Sequence, residues 1–218
     1  MTITVSNLGK RFNREWIFQG LTAEFTSGNI YAITGSNGSG KSTLMHVLWG
    51  QVPPSKGIIA FTMDNISIPV EEAFRHVSIA APYMDLLEEF TLREQIEFHF
   101  RLKGKHGLTT AEIIERIELV AAANKPIKQF SSGMKQRLKL GLALFSNAEA
   151  IFLDEPTTNL DEAAANWYMK ILKAEASNKL VFIATNQPSD YPAGSAVLNL
   201  TAFKQVTQST KVGIQTLL

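Results

Sequence analysis

Residues 35–43 read GSNGSGKST, a glycine-rich loop that runs into Lys-Ser-Thr. The stretch fits G-x-x-x-x-G-K-[ST] with Gly35, Gly40, Lys41 and Ser42 at the fixed positions. Each residue type has a physical reason. Gly35, Gly38 and Gly40 lack Cβ atoms, so the backbone of Ser36, Asn37 and Ser39 can curl and aim its N–H groups at phosphate oxygens. Lys41 supplies a mobile cation for β- and γ-phosphates, and the Ser42 hydroxyl can ligate Mg²⁺. The apolar run NIYAIT (Asn29–Thr34) before the loop predicts a buried strand. The following residues, about Ser42 to Trp49 and including Thr43, predict a helix with its positive end toward the anion. A chance Gly/Ser loop lacks this strand–loop–helix context. The chain is therefore expected to bind a nucleoside triphosphate.

Composition bounds what surrounds the loop. A chain of 218 residues suits one large α/β domain, or a core with one subdomain, and can bury a full core. With Lys+Arg 21 against Asp+Glu 20, the net charge of +1 gives no ground for a nucleic-acid partner held by bulk charge. The absence of cysteine excludes a disulfide scaffold or Cys-ligated metal. The start, MTITVSNLGKRF, alternates like a strand and shows no signal-peptide core. No uninterrupted apolar run is long enough to span a bilayer, so the expectation is a soluble chain.

Strands and helices alternate along the sequence. Thr2–Val5, Ile17–Phe25 and Gly57–Phe61 predict an N-terminal β part. Thr91–Lys103 and Thr109–Ala123 predict helices opened by the capping boxes Thr91/Glu94 and Thr109/Glu112, with a break at Gly104–Gly107. A further helix is expected over Phe130–Phe145. It is followed by a strand at Ala150–Pro156, a helix at Asp161–Ala174, a strand at Lys179–Thr185 and a short terminal ribbon from Ala196. The pattern implies an α/β fold with a mainly parallel sheet, an N-terminal antiparallel part and a helical subdomain at residues 84–146 inserted in one 1–218 domain.

The second chemical element is IFLDEP, residues 151–156. Three large apolar residues followed by two acids suit a buried strand that delivers carboxylates at its C-terminal edge, where open α/β sheets bind ligands. Asp154 is expected to hold Mg²⁺ and Glu155 to orient or deprotonate the attacking water. An acidic strand-end turn before Pro156 would account for the same residues without the upstream loop.

A third element separates families. FSSGMKQRLKL (Phe130–Leu140) resembles the ABC-ATPase signature LSGGQxxR, with Ser131 and Gly133 in place and Ser132 where glycine is usual. TTNLD (Thr157–Asp161) resembles the D-loop. With the four motifs in order, the chain resembles an export-like ABC-transporter nucleotide-binding subunit over its full length. A serine-capped surface helix explains the signature equally well, and the two readings are compatible. The resemblance implies a homodimer, or a pseudo-dimer with a related subunit, closed around two ATP with Mg²⁺. Ser131, Ser132, Gly133 and Asp161 would then act at the partner's nucleotide. It also implies an integral membrane permease as partner, and a cytoplasmic position on the inner face of the membrane. An aromatic near the N-terminus stacks on adenine in such subunits; Phe12 has the matching position and Trp16 competes with it.

Two departures stand beside these matches. The family's histidine after the strand that follows the D-loop is replaced by Asn186, and the four histidines, His46, His76, His99 and His106, all lie elsewhere. The family's glutamine before the Thr-Val-Arg-Glu helix is also missing, with Pro82 assigned to its position in SIAAPYMDLLEEFTLRE. Asn186 keeps a hydrogen-bond donor but cannot carry charge. The expectation is a working, slow ATPase with Glu155, Lys41 and Asn186 as its catalytic groups. The alternative is a regulatory or non-transport ABC module with weak or no turnover. His46 and His99 are expected to be structural, and Glu88–Glu89 a solvated loop.

Overall fold

The computed structural model describes residues 1–104 and 107–204. Two sheets are built from nine strands among these residues. β1 (Thr2–Phe12), β2 (Glu15–Thr26), β4 (Lys56–Met63) and β5 (Ile66–Ile68) form an antiparallel sheet in the order β2-β1-β4-β5. β3 (Ile30–Thr34), β6 (Val77–Ala80), β7 (Ala150–Asp154), β8 (Leu180–Ala184) and β9 (Ala196–Asn199) form a parallel sheet in the order β6-β7-β8-β3-β9. The helices are α1 (Lys41–Leu48), α2 (Leu92–Lys103), α3 (Thr110–Arg116), α4 (Ser132–Leu144) and α5 (Glu162–Glu175). Among the described residues, no helix is long and apolar enough to cross a membrane.

β7 and β8 are buried along their whole length, as continuous apolar runs in a parallel sheet require. Their period of two assigns neighbours to opposite faces. Phe152 and Phe182 point toward the antiparallel sheet and α1, where they stack at 4.9 Å and meet Phe25, Tyr31 and Trp49 edge-on or stacked. Ile151, Leu153, Val181 and Ile183 point the other way, into a second cluster with α2, α3, α4 and α5. The expected helical segment thus packs on the sheet face remote from the antiparallel strands.

Both predicted capping boxes form. The hydroxyls of Thr91 and Thr109 accept the N–H groups of Glu94 and Glu112, and each Glu side chain reaches back to the cap N–H. The helix expected over Thr109–Ala123 ends early, at Arg116. Glu118 takes φ 58°, and the Glu118 and Leu119 N–H groups bond the Glu115 and Ile114 carbonyls. This is the 5→2 and 6→1 pattern of a Schellman stop with glutamate in the position usually left to glycine. It turns Ile117, fully buried, toward Gly141 of α4, where an added Cβ would lie 2.3 Å from the Ile117 Cγ2 atom. The expected terminal ribbon is also different: Ala196–Asn199 pairs parallel with Tyr31–Thr34 and extends the main sheet. Leu200–Phe203 then forms a single 3-10 turn; the tail from residue 205 onward, and Lys105 and His106 of the expected break, lie outside the described residues.

Phe182 joins both sheets, so Phe182→Ala is expected to destabilise the fold by about 3–5 kcal/mol in urea unfolding followed by circular dichroism.

Candidate nucleotide site

The register of the parallel sheet brings distant sequence motifs together. Ile33 pairs with Ala184, and Asp154 pairs with Ala184 from the other side, so β3, β7 and β8 end at one level. The turns beyond them are stitched across: Glu155 N–H donates to the Ala184 carbonyl at 2.8 Å, and Thr185 N–H to the Ile33 carbonyl at 3.1 Å. Gly35–Thr43, Asp154–Glu155 and Asn186 therefore meet at the C-terminal edge.

At their centre is Lys41, buried at the first turn of α1. Its ammonium donates to the carbonyl of Gly35 at 2.9 Å and to Asn186 Oδ1 at 3.0 Å, and lies 3.8 Å from the Glu155 carboxylate. Asn186 Nδ2 donates in turn to Asn37 Oδ1 at 2.6 Å, so the side chain bridges the lysine and the loop. Glu155 has φ 48°, a left-handed backbone that side chains rarely adopt, directly after the buried Asp154. Such local strain persists only where surrounding structure enforces it. Here Asp190, itself buried, accepts from the hydroxyls of Thr157 at 2.6 Å and Thr185 at 2.5 Å, clamping the turns on either side.

Burial pushes the Glu155 carboxyl above its usual range, Lys41 offsets part of this, and Asp154 and Asp190 add to it. Burial likewise raises Asp154, against the lowering effects of a hydrogen bond to Ser42 and the charge of Lys41. A carboxylate made more basic but kept near a cation suits proton acceptance.

The residues fit a triphosphate and its metal. Ser39 Oγ is buried at the base of the loop with no hydrogen-bond partner among the described residues, an open valence for a polar ligand. Among the described residues nothing lies within 4 Å of the position a Gly38 Cβ would take. Asp154 and the Ser42 hydroxyl present hard oxygen donors, the set Mg²⁺ takes beside phosphate oxygens. A cleft of about 340 Å³ is lined by Ile17, Asn37, Gly38, Gly40, Lys41, Ser42, Thr43 and Glu155.

Two sequence-predicted groups stay apart from this cleft. Phe12, half-exposed at the end of β1, lies under the Lys10 ammonium, 5.1 Å from its ring centroid; Trp16 is covered by the Arg11 guanidinium at 5.5 Å. Neither ring lines the cleft, whereas Ile17 does. Ser131, Gly133 and Asp161 line a separate cleft of about 290 Å³. There Ser131 caps α4 by accepting the Met134 N–H, with Ser132 exposed beside it, and Asp161 caps α5 by accepting the Ala164 N–H at 2.8 Å. Gly133 lets the D-loop approach: a Cβ there would sit 3.1 Å from the Asn159 carbonyl oxygen.

Residues 18–158 match the family model for the ABC transporter. The chain belongs to the ABC transporter family. It is 30% identical to the lipoprotein-releasing system ATP-binding protein LolD of Leptospira interrogans, covering 96% of each chain. It is 29% identical to the Nod factor export ATP-binding protein I of Sinorhizobium fredii, over 85% of this chain and 56% of that one. The chain spans 56% to 62% of the length of the Nod factor export relatives it matches. Among solved structures, a putative ABC transporter ATP-binding protein from Pyrococcus furiosus superposes with a TM-score of 0.81 at 21% identity, covering 94% of this chain and 100% of that one. A dimeric bacterial ABC transporter cassette gives 0.75 at 22% identity, covering 91% and 94%. These likenesses establish an ABC cassette fold, the α/β architecture expected from the motif order.

Two contributors to this ABC site carry no motif. Ile17 comes from β2 and packs on Gly40, and Lys204 donates to the Gly38 carbonyl at 3.1 Å. Gly40 has φ 102°, and an added Cβ would lie 2.2 Å from Ile17 Cγ2. Gly40→Ala is expected to cost about 1–3 kcal/mol in thermal denaturation and to abolish ATP protection against unfolding.

Proposed function

We propose that the chain is the ATP-hydrolysing subunit of a transporter, closing as a dimer around two ATP and driving a separate integral membrane permease. The observation that carries the reading is Glu155, held in a left-handed turn with its carboxylate 3.8 Å from Lys41 and beside Asp154. What separates Glu155 from the left-handed helix stop at Glu118 is its setting, beside the buried cation Lys41 and the buried Asp154 at the sheet edge, and that supports a reacting group there.

In the reaction, the loop Gly35–Thr43 wraps the phosphates, and Lys41 exchanges its carbonyl and Asn186 partners for β- and γ-phosphate oxygens. Ser42 and Asp154 would hold Mg²⁺, which would supply positive charge beside the phosphates when bound. Glu155 takes the proton of the attacking water, and Asn186 donates from Nδ2 toward the charge developing on the γ-phosphate. Phe12 offers its exposed ring to adenine.

The signature cleft supports dimerisation. Ser131, Gly133 and Asp161 line a cleft distinct from the chain's own phosphate loop, with Ser132 exposed beside it at the start of α4. Serine hydroxyls and N–H groups at a helix start suit a phosphate, here one brought by the second subunit. We place residues 84–146 as the helical subdomain of a single ABC ATPase domain. The segment from Met84 to Glu89 would lie toward the permease at the cytoplasmic face of the membrane. There Glu88 pairs with Lys135 at 2.5 Å and Glu89 with Lys128 at 2.8 Å, on the surface. The names of the relatives favour export as the direction.

Asn186 in place of histidine also favours a second reading, a nucleotide sensor without turnover. Phosphate release by the purified chain decides between them. Mg²⁺-dependent turnover is expected, lost by at least about 10²-fold in Glu155→Gln with ATP binding retained. Turnover that survives this substitution overturns the role of Glu155. Asn186→Ala is expected to lower turnover by about 10²-fold and to lower the melting temperature, since it removes a transition-state donor together with the bridge between buried Lys41 and Asn37.

A further inference from the structure

The backbone around Asn186 is fixed on both sides. Thr185 N–H donates to the Ile33 carbonyl at 3.1 Å. The Thr185 hydroxyl accepts the Gln187 N–H at 2.9 Å and donates to buried Asp190 at 2.5 Å. What this turn leaves free is the Asn186 side chain, above all the terminal torsion that exchanges the amide oxygen and nitrogen, whose wells are broad and two-fold. That torsion decides what the side chain offers to an incoming phosphate. The nitrogen would donate to a phosphate oxygen; the oxygen, an acceptor only, would repel it.

Two neighbours choose the orientation. The Lys41 ammonium carries only donors, so the Asn186 atom 3.0 Å from it is the oxygen. The nitrogen then faces Asn37, 2.6 Å from its Oδ1 atom. The first contact does not survive the reaction, because Lys41 turns to β- and γ-phosphate oxygens once ATP is bound. The second can survive it. An amide nitrogen carries two N–H groups, so Asn37 takes one and leaves the other open for a phosphate oxygen. The loop crest that carries Asn37 is itself held, by Ser39 N–H on the Ser36 carbonyl at 2.9 Å and by Lys204 on the Gly38 carbonyl at 3.1 Å. Position 37 is one that the loop pattern leaves unspecified, since backbone N–H groups cradle the phosphates without this side chain. Both amides are exposed in the single chain, where a bond between them adds little to stability. Its effect is on orientation.

We propose that Asn37 is a positioning residue for hydrolysis: by accepting one N–H of Asn186, it keeps the other aimed at the γ-phosphate after Lys41 has left the amide oxygen. The inference rests on the ATPase reading above and on the γ-phosphate role given there to Asn186. It assigns to the Asn37 side chain a part that the backbone of the phosphate loop does not play.

The test is a double-mutant cycle on the full chain, with Asn37→Ala, Asn186→Ala and both, reading kcat and KM for ATP with Mg²⁺ from phosphate release. Asn37→Ala is expected to lower kcat about fivefold, the effect of one orienting hydrogen bond. KM is expected to stay within about twofold, as for an interaction that acts only in the transition state. Added to Asn186→Ala, the same change is expected to alter kcat by less than about twofold. An equal loss in both backgrounds overturns the proposal, because it marks a general effect of Asn37 on the loop. A raised KM with kcat unchanged also overturns it, because the side chain then binds phosphate in the ground state. A normal kcat in Asn186→Ala overturns it together with the role of Asn186. If the unaltered chain releases no phosphate, the ATPase reading fails and the proposal with it, whereas turnover with additive effects removes the proposal alone.

Discussion

The register of three parallel strands governs this molecule. β3, β7 and β8 are buried between two apolar layers, and their pairing ends at one level, so Gly35, Glu155 and Thr185 leave the sheet side by side. Slipping one strand by a residue would exchange Phe152 and Phe182 with Ile151 and Val181 across the sheet. It would also separate Lys41 from Glu155 and Asn186. Core packing and the catalytic geometry are therefore fixed by the same hydrogen-bond ladder.

On that frame the site is held by opposed demands. Lys41 is buried and satisfied by carbonyl oxygens and Asn186, while Glu155 is strained in its backbone and raised in its proton affinity by burial. Neither arrangement is the most stable one for an isolated residue. Each becomes favourable when a triphosphate supplies negative charge to the lysine and the ordered loops around Asp190 keep the glutamate in place.

Two substitutions that look like losses in the sequence acquire definite places in three dimensions. Asn186 bridges Lys41 and Asn37, so the loop that usually carries histidine still closes over the phosphate cradle. Beyond Pro82, the Tyr83 hydroxyl meets His46 of α1, and Lys139 of α4 donates to the Pro82 carbonyl.

The local and periodic features were legible in the sequence. The glycine loop, the apolar strand ending in Asp154–Glu155, the capping boxes at Thr91 and Thr109, and the serine before α4 all rest on short-range backbone chemistry, and they stand where that chemistry puts them. The helix over Thr109–Ala123 was overestimated because Glu118 accepts a left-handed turn that no propensity announces; it lets buried Ile117 reach Gly141. The fate of Ala196–Asn199 depended on β3 having an open edge, which is a property of the sheet and not of the segment. The sequence by itself determined the kind of ligand, because phosphate recognition is built from consecutive backbone groups. Only the tertiary structure decided that Asn186 and Ile17 stand at that ligand's place, because side chains far apart in the chain are brought together by strand register and packing.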